Sequence, residues 1–203
     1  MQPKTILLLL HLAGLAIGFG SVIALDLHLL RFLRGARVRA SDADLVHHLS
    51  RLVTIGLALL WASGIGFLLL YWNATPHLLG NGKLHAKIAI VLAITANGFL
   101  LHARILPLFA RNLGRPLFAG LAPAEQRLAI GCGALSGTGW LAAFLLGTLR
   151  ELNFAAPAEI FLAAYLAALI PIASIAFALA VRRAHAMPSS PGSAAMSANG
   201  SAP

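Results

Sequence analysis

The sequence predicts an all-α integral membrane bundle of five transmembrane helices, with the N-terminus outside and the C-terminus in the cytoplasm. Three observations carry this. First, charged residues make up 10% of the chain against 59% apolar residues, whereas an ordinary soluble domain carries about a quarter charged residues. Too few charges are present to coat a globule of 203 residues. Second, five apolar stretches each reach the roughly 20 residues that cross a bilayer. Third, the basic residues fall unevenly between the two sets of connecting loops.

The stretches run from about Thr5 to Leu30, Leu52 to Trp72, Leu84 to Pro107, Leu128 to Leu149 and Ala158 to Val181. They are continuous and rich in Leu and Ala, without the alternation of a membrane barrel strand. The first begins just after Lys4, as a signal peptide would. Its apolar run is too long for an h-region and no small-x-small cleavage site follows, so it reads as a retained helix. Gly14 and Gly18 in the first stretch, and Gly133 and Gly137 in the fourth, are small-xxx-small pairs. Such pairs let helices approach closely, and the same gap can admit a flat cofactor. Pro171 is expected to kink the fifth helix, which membrane helices tolerate. One transmembrane domain, residues 1–183, is expected, followed by a disordered cytoplasmic tail, residues 184–203, rich in Ser, Ala, Gly and Pro.

Orientation rests on the 15 Lys and Arg residues. Eleven lie on one side: Arg31, Arg34, Arg37, Arg39 and Arg51, then Arg104, Arg111, Arg115 and Arg127, then Arg182 and Arg183. The other side has only Lys4, Lys83, Lys87 and Arg150. The positive-inside rule places the larger group in the cytoplasm, which agrees with an odd number of spans. The +9 formal charge therefore reads as a topology signal, and no nucleic-acid partner is expected. The bilayer is the expected environment, in a bacterial inner (plasma) membrane, with an electron-transfer partner or a second copy of the chain as the protein partner.

Several chemistries are absent. Cys132 is the only cysteine, so no intrachain disulfide can form, and its apolar surroundings suggest a packing role. No Walker-type loop, Gly-x-Ser-x-Gly elbow or HExxH motif occurs. Of six acidic residues only Asp26 lies near a membrane interior, which gives a carboxylate-based transporter little support.

Eight histidines in so apolar a chain are the most informative feature, because ionisable groups at membrane depth are costly and usually face the bundle interior. His11 lies roughly 9 Å along the helix axis from Thr5, flanked by Leu10 and Leu12. It reads either as a ligand or as a histidine bonded to a neighbouring helix. The third stretch opens with Lys83, Leu84, His85, Ala86 and Lys87, so His11, His85 and Lys87 fall at similar depth. Lys87 can alternatively snorkel to water, and His85 can lie at the interface. Nearer the cytoplasmic side are Asp26 and His28, with His102 and Arg104. The equal spacing of His11 to His28 and His85 to His102 suggests stacked bis-histidine sites. However, 17 residues at 100° each leave the two histidines of one helix about 100° apart. An interfacial Asp–His–Arg network is the preferred reading there, with His28 and His102 as weaker iron-ligand candidates. His47 and His48 are expected in a solvated loop before the second helix. Asn97, Ser136 and Thr138 are candidate interhelical hydrogen-bonding groups. Trp72 with Tyr71 suits an interfacial belt, while Trp61 and Trp140 lie deeper, as packing residues or cofactor-pocket walls.

A histidine early in the first helix with small residues after it, the segment Leu84-His85-Ala86-Lys87-Ile88, and then His102 together resemble the HemJ-type membrane protoporphyrinogen oxidases. Leu49-Ser50-Arg51-Leu52 is similar to that family's basic segment before its second helix. The resemblance covers about the first three helices. It implies a small helical membrane protein that binds haem b and oxidises a porphyrinogen, with His11 and Lys87 as haem ligands. His85 is the alternative to Lys87. The sequence is also similar in style to CopD-type copper-resistance membrane domains. A copper-handling role would lean on soft sulfur ligands, yet the only methionines are Met1, Met187 and Met196. A cofactor-free structural or assembly subunit is the third reading.

Overall fold

The computed structural model describes residues 2–186. Six α-helices follow one another: α1 Pro3–Leu33, α2 Ala40–Ala74, α3 Gly82–Leu100, α4 Leu106–Arg111, α5 Pro123–Thr148 and α6 Ala158–Ala186. A π-helical turn, Leu101–Ile105, joins α3 to α4, so the two act as one 30-residue span. Five helical segments are thus long and apolar enough to cross a membrane. Among the described residues there are no strands, only two isolated bridges, Arg37 with Pro116 and Val38 with Leu113. The expected tail has helix over its first three positions, and residues 187–203 lie outside the described residues.

The largest departure from the sequence expectation is α2, which begins 12 residues before Leu52. His47 and His48 are therefore exposed helical residues, not part of a loop. The physical reason is local. Asp42 lies at the third position of the helix and accepts the backbone N–H of Arg39 at 2.8 Å, which satisfies a helix-start donor. Asp42 and Val46 then face inward, buried. A window tuned to apolar runs misses a polar start of this kind. At about 1.5 Å per residue, the 35 residues of α2 outreach a hydrocarbon core of about 30 Å, and its first turns project beyond it at the Arg-rich end.

The central contact is the α1–α2 crossing. A Cβ placed on Gly56 of α2 would lie 2.5 Å from the Gly18 Cα and 2.7 Å from the Gly14 carbonyl oxygen, so backbone meets backbone there. A Cβ on Gly18 would strike the ring of Trp140 from α5. Trp140 is buried and closes the crossing from its third side. The Gly14–Gly18 pair thus serves close packing and leaves no slot for a cofactor.

Two apolar cores follow. One, nearer the N-terminal end, gathers Val22, Leu60, Ala86, Ile90, Ile94, Trp140 and Leu146. The other, at the Arg-rich end, gathers Phe32, Val38, Val46, Leu108, Phe109 and Leu117. The second is tied by loop backbone: Val38 N donates to Arg115 O at 2.9 Å and Gly114 N to Val38 O at 2.8 Å. Gly114 takes φ 77°, which glycine adopts without steric cost. Between helices, Asn97 Nδ2 donates to the Cys132 carbonyl at 3.0 Å and Trp61 Nε1 to Thr95 Oγ1 at 3.0 Å. Thr138 instead returns its hydroxyl to Ala134 O in its own helix. Cys132 is buried, and Trp72 is exposed as an interfacial residue would be.

Gly56→Val is expected to cost about 1–3 kcal/mol through overpacking, lowering the unfolding temperature read by maleimide labelling of buried Cys132. Gly64→Ala on the same helix, where a Cβ meets nothing within 4 Å, should leave it unchanged. Equal effects of the two substitutions would contradict the close crossing.

Candidate functional site

His11 is half-buried, and its Nδ1 lies 2.9 Å from the Ser63 hydroxyl of α2. Ser63 is wholly buried and places its oxygen 2.6 Å from the Leu59 carbonyl, to which it donates. A serine has one hydroxyl proton. With that proton committed to Leu59, the serine oxygen accepts and His11 Nδ1–H donates. The lone pair of the neutral imidazole then resides on Nε2, the nitrogen that Ser63 does not hold. Phe67 fixes the ring from its edge, with centroids 5.8 Å apart.

Lys87, half-buried on α3, lies close enough to His11 for their charges to interact. No hydrogen bond or ion pair joins its ammonium to another described residue. α1 and α3 do not pack extensively on each other; α1 lies along α2, and α3 lies on α5 and α6.

The other candidates are elsewhere. His85 is exposed and borders a shallow recess with Gly82 and the Phe154–Glu159 segment. His102 is exposed on the π turn, its Nε2 3.4 Å from Thr54 Oγ1. His28 faces Asp42 at 3.4 Å, and no contact joins it to His102. The ion network at the Arg-rich end is real but has other members than expected. Asp42, nearly fully buried, pairs with Arg31 and His28 while capping α2. Arg31 also stacks over the Phe32 ring at 4.8 Å. Asp26, His102 and Arg104 take no part. Among the described residues no three His, Cys, Asp or Glu side chains converge as a metal cluster would.

Asp26 has a different setting. It is the sole carboxylate lining an apolar cavity of about 520 Å³ between α1, α5 and α6, walled by Phe19, Phe109 and Phe118. Gly133 and Gly137 both line this cavity. A Cβ on Gly137 would come 2.7 Å from Asp26 Oδ2, whereas one on Gly133 would meet nothing. The arrangement can hold an amphiphile that offers one hydrogen bond to the carboxyl group.

Ser63 and the role of Asp42 escaped the sequence reading. Ser63 did carry a signal, a lone hydroxyl inside an apolar span. Asp42 carried none, since its burial depends on the loop it closes. No family model, curated protein or solved structure matches this chain.

Removing one partner of a buried ion pair typically costs several kcal/mol. With Arg31 part-exposed, Asp42→Ala should cost about 2–3 kcal/mol, seen as a lower unfolding temperature. Asp44→Ala, at an exposed position, should stay within about 0.5 kcal/mol. Indifference to both changes would remove the network from the list of stabilising features.

Proposed function

We propose that the chain is a haem-b-binding integral membrane protein with a redox role, in which His11 and Lys87 would hold the haem iron. The observation that carries this is His11 inside an apolar span, held at Nδ1 by Ser63 and at its edge by Phe67, so that Nε2 is left as the donor nitrogen. The donor chemistry fits haem iron. Metal-bound histidines donate their second ring N–H to a fixed acceptor, which sets tautomer and orientation. Ser63 is such an acceptor, and Phe67 limits rotation of the ring. Lys87, as a neutral amine, offers a second nitrogen donor. The apolar core next to it includes buried Ile90 and Ala86. Haem b, when bound, supplies one-electron redox chemistry whose potential depends on ligands and surroundings.

The resemblance of the first three helices to HemJ-type protoporphyrinogen oxidases adds a substrate class, a porphyrinogen. The membrane is the bacterial plasma membrane in this reading, with the Arg-rich end in the cytoplasm.

The test is the visible spectrum of detergent-purified protein from cells supplied with a haem precursor. A Soret band that shifts on dithionite reduction, with sharpened α and β bands, is expected. His11→Ala and Lys87→Ala should each abolish it, Ser63→Ala should weaken haem binding about tenfold, and His85→Ala should leave it intact. A full Soret band in both ligand variants would overturn the assignment. A colourless protein carrying copper would shift the reading to metal handling.

A further inference from the structure

The four basic residues opposite the Arg-rich end come from distant parts of the sequence. Lys4 lies on the first turn of α1, Lys83 and Lys87 on successive turns of α3, and Arg150 after α5. All four line one cavity of about 370 Å³ at the N-terminal end of the bundle. Tyr71, Asn81 and Asn153 complete its polar wall. No carboxylate lines it.

The frame of this cavity is built. The Asn81 side-chain oxygen accepts from Lys83 N at 3.1 Å and from Phe154 N at 3.2 Å, tying the start of α3 to the loop after α5. A Cβ on Gly82 would lie 2.6 Å from the Ala156 carbonyl, so that loop is pressed onto the helix start. Lys83 is only 6% exposed, yet its ammonium donates to just one described acceptor, the Leu149 carbonyl at 2.7 Å. An ammonium has three donors. Among the described residues none of the four cations has a carboxylate within ion-pair distance; exposed Glu151 acts on Lys83 only through its longer-range field. A buried cation lacking a counter-charge is costly. Buried Lys83, with exposed Lys4 and Arg150 beside it on one cavity, suits an anion.

We infer that this cavity binds a phosphate group through Lys4, Lys83 and Arg150, with Lys87 at its edge. Arg150 offers a planar fork to two phosphate oxygens, and the lysines offer point charges. The apolar wall of Leu78, Leu84 and Leu146 beside the cations suits a phosphate carried on an acyl-chain lipid as well as a free one. This site goes beyond the haem reading and stands whether or not iron binds between His11 and Lys87.

The probes are inorganic phosphate and phosphatidylglycerol micelles, each added to the purified full-length protein and compared with chloride and phosphatidylcholine at matched ionic strength. The readout is the unfolding temperature from Cys132 labelling. Binding should raise it by roughly 2–4 °C. Lys4→Gln with Arg150→Gln, both at exposed positions, should abolish the rise while leaving the unliganded value unchanged. Arg34→Gln with Arg111→Gln at the opposite end should preserve it. A response to both probes, or to inorganic phosphate alone, identifies a free oxyanion site. A response to phosphatidylglycerol alone identifies a headgroup site. No response to either probe, or an undiminished response in Lys4→Gln with Arg150→Gln, overturns the inference. Should that pair of changes lower the unliganded value, Lys4→Gln alone takes its place, with the same two readings.

Discussion

The backbone contact between α1 and α2 at Gly14, Gly18 and Gly56 governs the rest of the bundle. In lipid, helices gain little from burying apolar surface, and close van der Waals approach does the work instead. This crossing sets the rotation of α1 against α2 and so determines which residues of each helix face one another. One turn before Gly14 is His11, and about two turns beyond Gly56 is Ser63. Their hydrogen bond is a consequence of that register. Trp140 then fits over Gly18 and places α5, and α5 in turn receives α3 and Lys87. The proposed ligand pair is assembled by packing that involves neither ligand.

The two ends of the bundle handle charge in opposite ways. At the Arg-rich end a single buried carboxylate, Asp42, gathers Arg31, His28 and a helix-start N–H, and the loops around it are cross-tied. At the N-terminal end four cations surround a cavity and Lys83 bonds only a carbonyl. The positive-inside asymmetry therefore describes the number of charges at each end but not their arrangement. The smaller group is the one gathered around a single cavity that contains a buried lysine.

Much of this was legible in the sequence. Five spans could be read because about 20 apolar residues in a row have no other economical fate. The Gly14–Gly18 pair and Asn97 announced interhelical contacts that the structure contains. The polar start of α2 was missed because a search for apolar runs passes over first turns that are polar and capped locally by Asp42. Spacing alone left two outcomes open for the glycine pairs: Gly14 and Gly18 meet a helix backbone, whereas Gly133 and Gly137 border the Asp26 cavity. Which small residues meet a neighbour depends on where the partner helix passes. Placing His11, His85 and Lys87 at one depth was possible from counting residues. His85 and Lys87 are two residues apart, about 200° around the helix, and deciding which of them faces the bundle needed the rotation of α3.

The π turn at Leu101–Ile105 holds one more residue per turn than an α-helix. The face presented by α4 is thereby out of phase with that of α3 by about 100°. Before the turn the span meets α5 and α6; after it, the span meets α2. The same transmembrane segment thus contributes Ile90 and Ile94 to one apolar core and Leu108 and Phe109 to the other. Such a phase slip acts as a partition. Substitutions in one core need no matching change in the other, so the half that holds the nitrogen donors and the half that secures the arginine-rich loops are free to diversify along separate evolutionary paths.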